Sequence, residues 1–200
     1  MKIVVRRQSL KLGLLWAQRA SFASAIVLLG YCGFVLLDAW VFQSRESAAL
    51  ERFIPERPAA SSIALPVAVG PDGLIGRIEV PRLDISVVVF EGTSHRTLRH
   101  AVGHIAGTAL PGQPGNLGIA GHRDTFFRPL RNIRLNDIIT LTTLRGAYRY
   151  RVVSTKVVNP DDVAVLDPDG NEILTLVTCY PFYLVGPAPA RFIVRAERVT

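Results

Sequence analysis

Cysteine is scarce here: Cys32 and Cys179 are the only two in 200 residues. Histidine is nearly as scarce, and its four copies do not fall into a metal-ligating pattern. His100 and His104 are four apart, but Ala-Val-Gly lies between them, with no Glu and no evident third ligand. Asp161-Asp162 is the only acidic pair a calcium ion could use, and it reads more simply as a helix cap. No metal or cofactor is therefore expected. The sequence also lacks internal repeats and low-complexity tracts. No acid occurs among the first nineteen residues, which carry Lys2, Arg6, Arg7, Lys11 and Arg19. Five units of the net +7 sit there, leaving +2 on everything after them. A nearly neutral body is a poor partner for phosphates, which excludes nucleic acid as the expected ligand.

The basic tail leads into an uncharged run over residues 20–37, "ASFASAIVLLGYCGFVLL". Asp38 interrupts it, and Ala39-Trp40-Val41-Phe42 extends it, with Trp40 at an interfacial position. A membrane-spanning helix needs about 20 mainly apolar residues, so residues 20–42 are long enough. The positive tail before the span places the N-terminus in the cytoplasm and the rest outside. A cleaved signal peptide is the competing reading. It would have a shorter apolar core and a nearer small-residue site than Ser47-Ala48-Ala49. The expectation is an uncleaved, single-pass anchor in the cell (inner) membrane. It has a cytoplasmic tail at 1–19, a span at 20–42, an extracytoplasmic stalk at 43–72 and an outer domain at 73–200. The stalk begins with alternating charges that suit a short helix. It continues through Pro55, Pro58 and Pro66 around "AASS", a linker composition.

The anchor changes the meaning of the cysteines. Cys32 lies inside the span and cannot meet Cys179, so no disulfide forms within the monomer. Cys179 is then either an inert buried thiol or a working one.

From residue 73 the pattern is mostly strands. "LIGRIEVP" and "ISVVVFEG" form a hairpin about Arg82-Leu83-Asp84. "SHRTLRHAVGHI" (94–105) predicts a short helix capped by Thr93 or Ser94 and ending near Val102, with Leu98, Ala101, Val102 and Ile105 at helical spacing. "ALPGQPGN" is a loop and "LGIAG" a buried strand. Asp124 then caps a turn through Phe126, Phe127 and Leu130. Four more strands come after it, "DIITLTTL", "AYRYRVVSTKVV", "EILTLVTC" and "RFIVRAERV", with a turn–helix–turn at 159–171 before the third of them. About seven strands with turn signals and few helices make an all-β sandwich or barrel.

Cys179 ends an apolar strand, and Pro181 forbids regular pairing two residues later. A nucleophilic thiol needs a base and a donor for the developing oxyanion. His95, His100 and His104 read as surface or loop residues. His122 differs, because it also ends an apolar strand, after Gly121. Parallel pairing of the two strands would bring both side chains to one rim. Eleven residues, 180–190, separate Cys179 from Arg191. Antiparallel pairing would set that guanidinium beside the thiol, and an exposed strand-end arginine is the plainer alternative.

"TLVTCYPF" followed by "VGPAPARFIVRA", with "AGHRDTFFRPL" upstream, resembles the sortase family, most of all its class D branch. The resemblance covers about residues 73–200, and the N-terminal span and stalk suit a membrane-anchored member. It implies a closed eight-stranded β-barrel with short helices, acting as a cysteine transpeptidase. Such an enzyme cleaves an LPxTG-like C-terminal sorting signal of an exported protein and holds the acyl group as a thioester. It then passes that group to an amine of the cell envelope, on peptidoglycan or a lysine. The resemblance implies Cys179 as nucleophile, His122 as general acid and base, and Arg191 as the oxyanion or substrate-positioning cation. Thr178 would support substrate or oxyanion. The sequence shows no Asp-Pro-aromatic lid ahead of the barrel, which favours attachment of single proteins over pilus assembly. Two alternatives stand beside this reading. An L,D-transpeptidase would set its cysteine in a Ser-x-Gly-Cys context, whereas Thr178 and Tyr180 flank Cys179. A membrane-anchored binding module without chemistry would not need all three residues.

Overall fold

The computed structural model describes residues 7–53, 69–70, 73–168 and 170–199. The first six residues of the tail and the linker with Pro55, Pro58 and Pro66 lie outside the described residues, as does most of the stretch in which a lid would fall. The chain divides into two units, Met1–Phe42 and Gln43–Thr200.

Helix α1 runs Arg7–Phe53. It contains no proline. The segment long and apolar enough to cross a membrane is Gly13–Val35. It is 23 residues long, about 35 Å at helical rise. It begins earlier than the expected 20–42 and takes in Arg19, whose long stem lets its charge reach an interface. Large apolar side chains such as Ile26, Leu29 and Phe34 are exposed along it, as suits lipid rather than water. An N-terminal membrane anchor is thereby supported.

The second unit is a closed barrel in the order β1-β2-β3-β4-β7-β8-β6-β5. The strands are β1 Leu74–Val80, β2 Ile85–Glu91, β3 Val102–His104, β4 Gly115–Ala120, β5 Ile138–Thr143, β6 Gly146–Val158, β7 Glu172–Tyr180 and β8 Ala190–Val199. Among the described residues, only β2–β3 and β4–β7 pair in parallel. The eight-stranded barrel and the β1–β2 hairpin thus agree with the sequence reading. In that hairpin Asp84 takes the left-handed conformation that closes the turn. Alternation sends Leu117 and Ile119 of β4, Leu174 and Leu176 of β7, and Val194 and Ala196 of β8 into one core. Each fully buried Leu or Ile contributes about 1.5–3 kcal/mol.

Three local expectations are corrected. The helix expected over 94–105 is only α2, His95–His100; Ser94 caps it, accepting from the Thr97 amide. Val102 is fully buried, and the segment after α2 becomes β3, bridging β2 and β4. Barrel closure overrides helical spacing there. Asp124 is exposed and caps nothing; the turn is a 3-10 helix at Arg128–Asn132, with Pro129 in its first turn and no side-chain cap. The helix expected within 159–171 is a single 3-10 turn, Val163–Leu166.

Candidate active site

β7 and β8 are antiparallel neighbours, and their register sets Cys179 directly opposite Arg191. Side chains of such a pair lie on the same face with Cβ atoms about 5 Å apart. Since Leu174 and Leu176 face the core, the odd-numbered positions of β7 face outward. Cys179 therefore emerges on the barrel's outer surface, half-buried at the strand end. Arg191 is also half-buried. Its Nη1 donates to the carbonyls of Ala190 (3.1 Å) and Ala188 (3.4 Å). Both bonds use one nitrogen, so Nε and Nη2 remain to meet an acceptor at the rim.

β4 lies on the other side of β7, parallel to it, with Ala120 opposite Val177. The ladder continues one step, as the Gly121 amide donates to the Val177 carbonyl at 3.1 Å. The next residue, His122, is half-buried. The Thr178 hydroxyl, itself buried, donates to the Gly121 carbonyl at 2.8 Å and ties the two strand ends together beneath the thiol. Gly121 is required by closeness: a Cβ there would stand 2.6 Å from Cδ2 of the buried Phe127 ring. The Phe127 amide returns to the His122 carbonyl at 3.1 Å, closing the bend that carries the histidine. Cys179 and Arg191 thus stand in register on neighbouring strands, and His122 lies two residues past the end of β4, the strand on the other side of β7.

The rim beneath is aromatic. Phe192 stacks on Tyr180 and meets Phe182 edge-on, with centroids 6.3 Å and 5.3 Å apart. A groove of about 220 Å³ runs along the same outer face, lined by Ser154, Lys156, Val165, Thr175, Ile193 and Arg195. Thr175 is four residues from Cys179 along β7, about 13 Å of strand. The wall at Val165 is pinned from below. Asn116 donates to the carbonyls of Val165 (3.0 Å) and Asp167 (3.3 Å) and accepts from the Thr175 hydroxyl at 2.6 Å.

Two placements escaped the sequence reading. His104, read as a surface or loop residue, is buried in β3. One of its ring nitrogens meets Glu91 at 2.8 Å, and the other meets Thr108 and the Ala109 carbonyl. It serves the β2–β3 join, away from the thiol. Arg123, next to the candidate base, is buried and bonds two carbonyls of the loop after Cys179. No sequence signal marked it, since His122, Asp124 and Arg128 are polar neighbours in the same bend. Among the described residues no three His, Cys, Asp or Glu side chains gather as a metal site.

Known proteins carry the same architecture. The family model described as "Sortase domain" matches residues 78–199. Sortase D of Bacillus subtilis is 31% identical over 89% of this chain and 95% of its own length. Among solved structures, sortase C1 of Streptococcus agalactiae superposes with a TM-score of 0.62 at 32% identity, covering 67% of this chain and 72% of that one. The Clostridium perfringens Sortase D5 transpeptidase gives 0.61 at 29% identity, over 78% of this chain and 99% of its own. Neither alternative reading, the L,D-transpeptidase or the binding module, is favoured by these likenesses. A closed barrel, a thiol and an arginine in register on adjacent strands, and a match across most of the outer unit lead to one conclusion: the chain belongs to the sortase family of cysteine transpeptidases.

Proposed function

We propose that this sortase is a membrane-anchored, class D-type enzyme that joins exported proteins to an envelope amine, with Cys179, His122 and Arg191 as its catalytic residues. The observation that carries the assignment is the register of β7, with Arg191 opposite the thiol on one side and the His122-bearing end of β4 on the other. The sulfur of Cys179 attacks the carbonyl carbon of the Thr in an LPxTG-like signal as the thiol proton passes to His122. The carbonyl oxygen becomes an oxyanion, held by N–H groups of Arg191. The C–N bond then breaks, His122 returns the proton to the departing amine, and a thioester remains on Cys179. An incoming amine of peptidoglycan or a lysine loses its proton to His122 and attacks the thioester, and Cys179 leaves with that proton. Thr178 supports the arrangement from beneath. The groove of Ser154, Thr175 and Ile193 is suited to the part of the signal preceding the scissile bond.

In this reading residues 1–19 form a cytoplasmic tail, 20–42 the single-pass anchor, 43–72 the stalk and 73–200 the extracytoplasmic catalytic barrel. The five basic residues before the span support that orientation. The test is a peptide-library cleavage profile on the full-length enzyme, followed by mass spectrometry for a thioester on Cys179. Cys179→Ala is expected to abolish cleavage with the barrel still folded, and His122→Ala to be nearly as damaging. Cleavage at wild-type rate by Cys179→Ala overturns the assignment.

A further inference from the structure

Arg123 comes directly after the candidate base, yet its side chain turns away from solvent and is only 8% exposed. Nη1 donates to the carbonyl of Pro181 at 3.1 Å, and Nη2 to that of Gly186 at 2.6 Å. These two carbonyls bracket the turn that comes after Cys179, between them projecting Tyr183 and Val185, which are 85% and 98% exposed. Among the described residues no carboxylate pairs with Arg123. A guanidinium buried without an anion is costly, and here the two carbonyl bonds are what offset the cost. The planar fork suits the task, since its two end nitrogens can each hold a different acceptor in fixed relation, as a single ammonium nitrogen cannot.

We infer that Arg123 is a positioning residue of the transpeptidase reaction: it clamps the 181–186 turn onto the end of β4 and so holds His122 and the Cys179–Arg191 edge in one geometry. The inference rests on the catalytic assignment above. Strand pairing already fixes Cys179 against Arg191, but regular β4–β7 pairing ends at Ala120, two residues before His122. Past that point the histidine's place depends on the Gly121 amide, the Thr178 hydroxyl and this clamp. On the turn side, Gly186, which accepts one of the two bonds, has φ +102, a conformation that suits glycine.

The test uses full-length protein in detergent and needs no substrate for its first arm. In Arg123→Lys, which keeps the charge but loses the fork, amide exchange of residues 182–186 and 122–127 is expected to rise about tenfold. Amides of β5, β6 and β8 should exchange as in the wild type. Unchanged exchange, or an equal rise throughout the barrel, overturns the clamp whatever the enzyme cleaves. The second arm measures cleavage of a quenched Leu-Pro-Ala-Thr-Gly peptide. Here kcat is expected to fall about ten- to a hundredfold with KM changed less than about threefold. A kcat within about twofold of wild type overturns the inference while leaving Cys179 as nucleophile untouched. Gly186→Ala disturbs the same link from the loop side, where an added Cβ meets open space. It answers both arms should Arg123→Lys fail to fold. If both variants fold, their effects on kcat should be less than additive, because they break one connection; full additivity counts against the clamp.

Discussion

Replacing Gly121 with alanine would put one methyl group into a very tight contact at the rim. The new Cβ would lie 2.6 Å from Cδ2 of Phe127 and 2.9 Å from both Cε2 and Cγ. Carbon atoms rest about 3.5–4.0 Å apart, so the ring must retreat by about 1 Å. It has little room, because Phe127 is fully buried and packs in the core cluster. Overpacking of this kind costs about 1–3 kcal/mol, which lowers Tm by roughly 3–10 °C in a domain of this size. The functional loss should be larger than the stability loss suggests. The Phe127 amide is bonded to the His122 carbonyl, so a displaced ring drags the proposed base, His122, with it. A misplacement of about 1 Å can cost on the order of a hundredfold in rate. The assay pairs a thermal melt with single-turnover acylation of Cys179, using the full-length protein. Adding Phe127→Leu to Gly121→Ala should restore part of the Tm, making the double variant less damaged than the sum of the singles. Wild-type Tm together with wild-type acylation in Gly121→Ala would refute the steric reasoning.

Other perturbations probe separate links. Asn116→Ala removes the pins on Val165 and Asp167, at about 0.5–1.5 kcal/mol for each lost hydrogen bond; steady-state kinetics should show KM rising more than kcat falls, as the groove wall loosens. Tyr150 is buried, which pushes its phenol well above the usual range and keeps it a donor to Glu172 at 2.8 Å. Tyr150→Phe should cost about 0.5–1.5 kcal/mol in urea unfolding and leave turnover unchanged, since Glu172 opens β7 at the end far from Cys179. The Arg82 hydrogen bonds, at 2.6 Å and 2.5 Å, hold the Asp137 carboxyl below its ordinary value of 3.8 despite burial. A lowered folded value means that this stabilisation is complete above the unfolded value and is lost as pH falls through the folded one. Melts of Asp137→Asn should therefore lack that part of the wild type's acid-side decline; an identical decline would remove Asp137 from the account.

How much of the fold and the site is legible depends on how local the cause is. The strand from Ile173 to Cys179 and the one from Arg191 onward announce themselves by β-branched, apolar runs, and the eleven-residue connection makes their antiparallel pairing, hence the Cys179–Arg191 register, inferable. The parallel partnership of β4 and β7 is different. Its members are separated by all of β5 and β6, and nothing in "LGIAGH" names its neighbour, so that pairing is readable only as a condition. β3 is three residues long, too short for a period of two to register, and the helical spacing of Leu98, Ala101 and Val102 dominates there. His104 passes for a surface residue for that reason. Arg123 is invisible on other grounds, because its acceptors are backbone carbonyls 58 and 63 positions away, and carbonyls carry no side-chain signature.

The parallel β4–β7 seam makes the enzyme all-or-nothing with respect to slippage. Moving β7 by a single step would turn the sulfur into the oily interior and present Thr178 to incoming peptide, with no intermediate arrangement available to a pleated strand. Drift elsewhere in the chain can tilt loops and shift His122, but it cannot carry the thiol from one face of the barrel to the other.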